Sequence, residues 1–208
     1  MADASDKEGR QMRTGVIMDP IAGIATYKDS TFAMLLEAQR RNHEICYMEA
    51  TGLSIRDGVA LGHMSPLSVR DNTDDWFTLG QKENRELATL DILLMRKDPP
   101  YNMDYVYATY VLDLAEQSGV TVVNRPQALR DANEKCFTTQ FPQCCVPMLI
   151  SSNSSEIKAF VAKYGLSVVK PLDGMGGESI FQARPGDPNL NVILETITLK
   201  DSQLIMVQ

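Results

Sequence analysis

Apolar positions in this chain fall into short runs separated by stretches of helical periodicity. Thr14-Gly-Val-Ile-Met18 is one such run, closed by Asp19-Pro20, and it reads as a buried strand ending in a loop. Phe32, Leu35, Leu36 and Gln39 recur at i, i+3, i+4 and i+7, which predicts a helix capped by Asp29 or Ser30. Ile45-Cys-Tyr-Met48 predicts a second strand, and Asp57-Gly58, between Leu53-Ser-Ile55 and Val59-Ala-Leu61, predicts a two-residue hairpin. Leu90-Asp-Ile-Leu-Leu-Met95 predicts a further core strand, stopped by Lys97-Asp98-Pro99-Pro100. A long helix is expected from Asp104, with Tyr107, Tyr110, Val111 and Leu114 on one stripe and Gly119 just past its end. Val120-Thr-Val-Val123 predicts another strand. Strands alternating with helices at this spacing imply right-handed crossovers and a mostly parallel sheet, an α/β domain over 13–125.

The pattern changes over 126–208. Pro126 occupies a first helical position, Asn133-Glu134-Lys135 is expected to open another helix, and Phe141-Pro142 and Pro147 break the chain. Asn153 with Glu156 three residues later is a cap signal ahead of Ile157, Phe160 and Val161, and Gly165 ends that helix. Leu166-Ser-Val-Val-Lys170, a glycine-rich turn and Ser179-Ile-Phe-Gln182 then predict two strands around a loop. A helix with Leu190, Ile193 and Leu194 precedes the last run, Gln203 to Gln208. This second region reads as α+β with antiparallel character. Residues 1–12 are small and charged, with no apolar core of a signal peptide, and are expected to form a disordered tail.

Composition narrows the function classes. The 208 residues are 44% hydrophobic and 23% charged, the proportions of a soluble globular protein with one or two cores. Lys and Arg number 20 against 27 Asp and Glu, a net charge of −7 that excludes a nucleic-acid binder working through a basic face. Any anionic ligand must instead be held by a few placed cations and backbone amides. No window approaches the roughly 20 apolar residues of a membrane-spanning helix. Cys46, Cys136, Cys144 and Cys145 show no C-x-x-C spacing, and His43 and His63 are not placed with them as zinc ligands would be. Adjacent Cys144 and Cys145 are poor partners for each other, so the four read as free thiols of a reducing cytoplasm.

The chemistry concentrates in two stretches. Strand alternation places Leu166, Val168 and Lys170 on one face, where a lysine among apolar neighbours is costly unless an anion meets it. Gly174, Gly176 and Gly177 follow at once and can present successive amides to that anion. The stretch is neither a Walker A loop nor a Rossmann fingerprint, because a strand and not a helix is expected after the glycines. A hairpin folding over a nucleotide fits it, and a solvated flexible tip is the competing reading. Lys135 by itself reads as a surface lysine. In the second stretch, Met95-Arg-Lys-Asp-Pro-Pro100, Arg96 offers a planar fork to a carboxylate and Asp98 can accept from an ammonium. Both lie at the strand-end edge where open α/β sheets bind ligands, and Asp19 faces the same edge. The competing reading is that these polar residues only end strands and are solvated.

Six segments taken together closely resemble the bacterial-type glutathione synthetases, a family of ATP-grasp ligases. They are Val16-Ile-Met-Asp-Pro20, Asp29 to Arg41, Leu94 to Pro100, Tyr107-Ala-Thr-Tyr110, Leu129 to Lys135 and Lys170 to Gly177, and the likeness runs from about Arg13 to Gln208. It implies a Rossmann-like, pre-ATP-grasp α/β domain followed by an incomplete α+β ATP-grasp domain. It also implies ligation of γ-glutamylcysteine to glycine through an acyl phosphate, with ATP and Mg²⁺ required. Under the resemblance, Lys135 and Lys170 hold ATP phosphates, while Gly174, Met175, Gly176 and Gly177 form the loop over them. Lys170, Gly176 and Gly177 are the catalytic candidates, and Gln208 begins the adenine-contacting hinge. Asp19, Ser30, Arg96, Asp98 and Pro99 are assigned to the peptide substrate. A cytoplasmic homo-oligomer is implied, with the metal ligands expected beyond Gln208. Chains of the family continue past that point, and an unpaired apolar strand at Leu204 to Val207 reads as a truncation, inactive alone. The alternative is a non-catalytic binding or assembly module that a partner chain completes.

Overall fold

The first apolar run forms β1 (Arg13–Ile17) in the computed structural model of the chain, which describes residues 10–208. Most of the expected tail, residues 1–9, lies outside the described residues. Ahead of β1, Arg10 pairs with Asp91 at 2.8 Å and the Met12 carbonyl accepts from Glu44 N. Along the chain follow α1 (Ser30–Arg40), β2 (Glu44–Met48), β3 (Leu53–Arg56), β4 (Val59–Val69), β5 (Phe77–Leu79) and β6 (Glu83–Glu86). Then come β7 (Ile92–Met95), α2 (Met103–Gln117), β8 (Thr121–Val123) and α3 (Pro126–Asp131). Backbone contacts divide the chain into two units, one up to Asp98 with Asp104–Leu129, the other Pro99–Met103 with Arg130–Gln208.

In the first unit, β2, β1, β7 and β8 pair in parallel in that order. The long strand β4 runs antiparallel beside β2 and carries β3, β5 and β6 on itself. Both faces of the parallel core are covered, which is why its strands read as continuous apolar runs. Ile17, Cys46, Met48, Leu93 and Met95 face Val111, Leu112 and Ala115 of α2. Val16, Ile45 and Tyr47 point the other way, against Phe32 and Leu35 of α1 and against Trp76. The Asp57-Gly58 hairpin forms as expected, with φ of 50° and 81° at the two turn residues, the positive values that a tight hairpin requires. β6, spelled Glu-Asn-Arg-Glu, carries no apolar alternation and is held by its ladder to β4.

In the second unit, short 3₁₀ turns at Cys136–Gln140 and Pro142–Cys144 lead to β9 (Leu149–Ser151) and α4 (Ser154–Tyr164). β10 (Ser167–Pro171), β11 (Phe181–Ala183), α5 (Leu190–Ile197) and β12 (Ile205–Val207) complete it. The four strands form an antiparallel sheet in the order β11-β10-β12-β9. Ile157 and Val161 of α4 and Leu194 of α5 pack on Val169, Ile205 and Val207. The architecture is therefore a mostly parallel α/β unit followed by an antiparallel α+β unit.

Three local expectations change. Asn133 to Lys135 opens a 3₁₀ turn and not an α-helix: Asn133 Oδ1 takes the Lys135 and Cys136 amides, and the bonds that follow, Thr138 N to Lys135 O and Phe141 N to Thr138 O, span three residues. Ser179 and Ile180 stay outside the strand after the glycines: Ser179 has φ of 56°, and pairing with β10 begins at Phe181. The run Leu204 to Val207 is not a bare strand end, since β12 lies between β10 and β9 and all three of its residues are buried. Among the described residues no helix is long and apolar enough to cross a membrane. All four cysteines are free, and burial raises the pKa of the Cys46 thiol.

Candidate active site

The parallel strands β1 and β7 end side by side, and the chain leaving each of them turns across the N-terminus of α1. Arg96 N donates to Ile17 O at 2.7 Å, which carries the ladder one residue beyond β7. The Arg96 side chain thereby reaches α1, where its Nε donates to Thr31 Oγ1 at 2.9 Å and its Nη2 to Ser30 Oγ at 2.8 Å. Asp29 caps this helix, its carboxylate accepting from Phe32 N at 2.8 Å. The result is a cleft of about 550 Å³, lined by Asp19, Lys28, Asp29, Ser30, Thr31, Arg96 and Asp98 with the Pro20–Ala25 turn. That volume suits a small-molecule ligand.

Asp19, Ser30, Arg96 and Asp98 are thus brought together, but with unequal roles. Both Asp19 carboxylate oxygens are engaged, one by Asp98 N at 2.9 Å and the other by Lys97 Nζ at 2.7 Å. Asp19 is a brace for the 97–98 segment more than a free acceptor. A guanidinium has five N–H donors, so Arg96 keeps donors beyond the two given to hydroxyls. Pro99 is not among the lining residues and belongs to the second unit. Sequence reasoning missed Thr31, Lys28, Lys97 and Tyr47. The buried Tyr47 hydroxyl accepts from Ile21 N at 3.3 Å and donates to Glu49 at 3.0 Å, which fixes the turn that walls the cleft. Burial, helped by the Glu49 carboxylate, pushes the Tyr47 pKa up to about 12 and keeps this hydroxyl neutral. Only the apolar run around Tyr47 was visible beforehand, and it reads simply as strand.

The second unit holds the remaining candidates. Lys135 is not a surface lysine: its side chain is 13% exposed, and its ammonium donates to Gly174 O at 2.5 Å and Leu172 O at 3.4 Å and pairs with Glu134 at 3.2 Å. Lys170 departs from the alternation argument, because the buried face of β10 is the one bearing Ser167 and Val169. Lys170 sits on the opposite, half-exposed face, where its ammonium is bonded to Gln208 Oε1. Gln208 reaches that position because its backbone pairs with Val168 at 2.7 and 3.0 Å. Gly176 and Gly177 take φ of 69° and 83° with open space where a Cβ would project, and Met175 beside them is 46% exposed. A cleft of about 300 Å³ beneath the loop takes in Gly174 and Glu178 but neither lysine nor Gln208. Lys135 is thus bonded to the loop at Leu172 and Gly174, and Lys170 to Gln208. Two ammonium heads and a glycine loop with no side chain to obstruct close approach suit a polyphosphate. Among the described residues no three His, Cys, Asp or Glu side chains gather as a cation site.

Residues 12–130 match the family profile described as prokaryotic glutathione synthetase, N-terminal domain, and residues 134–208 match the one described as its ATP-grasp domain. The chain belongs to the prokaryotic glutathione synthetase family. It is 53% identical over 197 residues to the glutathione synthetase of Pseudomonas putida, covering 95% of this chain and 62% of that one. The glutathione synthetase of Xanthomonas axonopodis pv. citri is 52% identical over 193 residues, with coverage of 93% and 61%. The chain therefore spans about three-fifths of the length of the curated relatives it matches. Among solved structures, it is similar to the D-cycloserine synthetase DcsG, with a TM-score of 0.60 at 11% identity over 94% of this chain and 58% of that one. A RimK domain protein ATP-grasp from Sphaerobacter thermophilus gives 0.58 at 17%, over 94% and 62%. At such identities the likeness is one of fold, and the fold it identifies is that of ATP-grasp proteins.

Proposed function

We propose that this family member works as an ATP-dependent C–N ligase joining γ-glutamylcysteine to glycine, and that the first unit's cleft takes the dipeptide. The observation that carries the reading is the convergence of Arg96, Ser30, Thr31 and Asp98 on one cleft. Spare Arg96 donors and the α1 N-terminus attract a carboxylate, and Asp98 attracts an ammonium. That mixed lining matches a ligand carrying both charges. ATP, when bound, supplies the phosphoryl group that activates a carboxylate toward the amine. Lys135 and Lys170 would hold its phosphates, with the Gly174–Gly177 amides above them and Gln208 at the strand end. The protein's own task is then to orient charged groups and exclude water, with little covalent work. No step is assigned to Mg²⁺ on these residues.

The test joins this chain to the portion of the Pseudomonas putida relative that it does not cover, and follows phosphate release from Mg-ATP with γ-glutamylcysteine and glycine. Release that requires both substrates is expected. In that chimera Lys170→Ala raises the KM for ATP about tenfold or more, the loss of one charge-assisted contact. A folded chimera that releases no phosphate would sink the ligase reading, and an unchanged ATP KM would remove Lys170 from the site.

A further inference from the structure

The glycine-rich loop has a fixed root and an open tip, and the root is held by a residue outside the site described so far. Three successive carbonyls are bonded from elsewhere in the second unit. Leu172 O accepts from Asn133 Nδ2 at 3.2 Å and from Lys135 Nζ at 3.4 Å. Asp173 O accepts from Tyr101 N at 3.2 Å, and Gly174 O from Lys135 Nζ at 2.5 Å. Beyond Gly174 the chain enters the left-handed glycines Gly176 and Gly177, where its backbone bond is Glu178 N to Met175 O at 3.3 Å.

An ammonium has three N–H donors, and those of Lys135 face three acceptors, the carbonyls of Leu172 and Gly174 and the Glu134 carboxylate. A phosphate reaching Lys135 must displace one of them, and a charge-assisted bond outcompetes a neutral carbonyl. Receiving the nucleotide therefore costs Lys135 part of its hold on the loop root. Asn133 keeps its hold. Its neutral amide has no reason to follow a phosphate, and its Oδ1 is locked by Lys135 N at 3.0 Å and Cys136 N at 2.9 Å.

We propose that Asn133 is a positioning residue for the glycine-rich loop: it holds the Leu172 carbonyl as the pivot on which the loop tip moves when Lys135 turns to phosphate. This rests on the reading that Lys135 meets nucleotide phosphates. Asn133 touches no substrate in this scheme and acts only through the loop.

Asn133→Asp separates the two functions of the side chain, since it keeps the acceptor for the Lys135 and Cys136 amides and removes the donor to Leu172. In the 208-residue chain, amide exchange at Tyr101, whose N–H is bonded to Asp173 O, reports the root. Exchange there is expected to rise about fivefold, as for loss of one hydrogen bond. The Val168 and Gln208 amides, paired with each other in the sheet, are expected to keep their rates. Asn133→Ser, whose hydroxyl can serve the turn but is too short for Leu172, is expected to give the same shift. Unchanged Tyr101 exchange in either variant would overturn the pivot, as would equal acceleration at Val168 and Gln208. In the chimera, Asn133→Asp lowers kcat about tenfold with the ATP KM within about twofold of the parent; a raised ATP KM at unchanged kcat would also overturn it. If the parent chimera releases no phosphate, the ligase reading fails, and the exchange rates still decide whether Asn133 holds the root.

Discussion

Arg96 shows how a single side chain ties a strand end to a helix start. Its backbone continues the β1–β7 ladder while its guanidinium holds the hydroxyls of Ser30 and Thr31. Arg96→Lys keeps the charge but loses the fork, since an ammonium cannot bridge two hydroxyls and a carboxylate in one plane. The expected result in the chimera is a rise of about tenfold or more in the KM for γ-glutamylcysteine with the ATP KM unchanged, read from initial rates. Tyr47 carries a second prediction. The unfolded chain ionises this phenol near pH 10, whereas the folded protein holds its proton until about 12. Between those values the unfolded state binds fewer protons, so the Tyr47 contribution is full below pH 10 and is lost as pH rises toward 12. Denaturant titrations of wild type and Tyr47→Phe should therefore differ by a constant amount below pH 10 and by a shrinking amount above it. Arg96 and Asp98 stand out in the sequence because they lie at a strand end, whereas Ser30 reads only as a helix cap and becomes a site candidate through the family resemblance. Lys97 and Asn133 do not stand out, because their partners, Asp19 and Leu172, lie 78 and 39 residues away in sequence. Lys135 looked like a solvated lysine for the same reason.

At the scale of elements, the caps were the most readable features. Asp29 caps α1 and Asn153 caps α4, the latter accepting from Ser155 and Glu156 amides at 2.9 and 3.2 Å. Asp29→Ala and Asn153→Ala should each cost about 1 kcal/mol of stability, measured by chemical denaturation. Under the proposed function, Asp29→Ala alone should also raise the KM for γ-glutamylcysteine in the chimera, because its helix presents Ser30 and Thr31 to the cleft. Gly165, with φ of 81°, ends α4 as its position implied. Elements without an intrinsic signal are missed or, like β4, read only at their start, Val59 to Leu61. β6 is entirely polar, and β4 contains Gly62 and Pro66, residues that argue against a long strand. Both form because neighbouring strands complete their ladders: β4 is paired with β2, β3, β5 and β6. The turn at Asn133 reads as a helix start because the same side-chain acceptor serves either conformation, and only the three-residue bonds that follow, Thr138 N to Lys135 O and Phe141 N to Thr138 O, separate them.

For the molecule as a whole, each unit has its own core: helices cover both faces of the sheet in the first, and α4 and α5 pack on the sheet in the second. Leu112 is fully buried between α2 and the parallel strands. Leu112→Ala should destabilise the first unit by about 2–5 kcal/mol, and amide exchange in β1 and β7 should speed accordingly. The chain by itself determined the α/β and α+β character of its two regions, the hairpin at Asp57-Gly58, the capped helices and the segments where charge and glycine concentrate. These are local properties, written in periodicity and in residues with restricted backbone freedom. The tertiary structure decided the rest. It put Lys170 on the open face of β10 beside Gln208, made β12 an inner strand, turned Asp19 into a brace and gave Lys135 three acceptors. Each of these depends on which distant segment completes a hydrogen bond or covers a face, and that is settled only when the whole chain has packed.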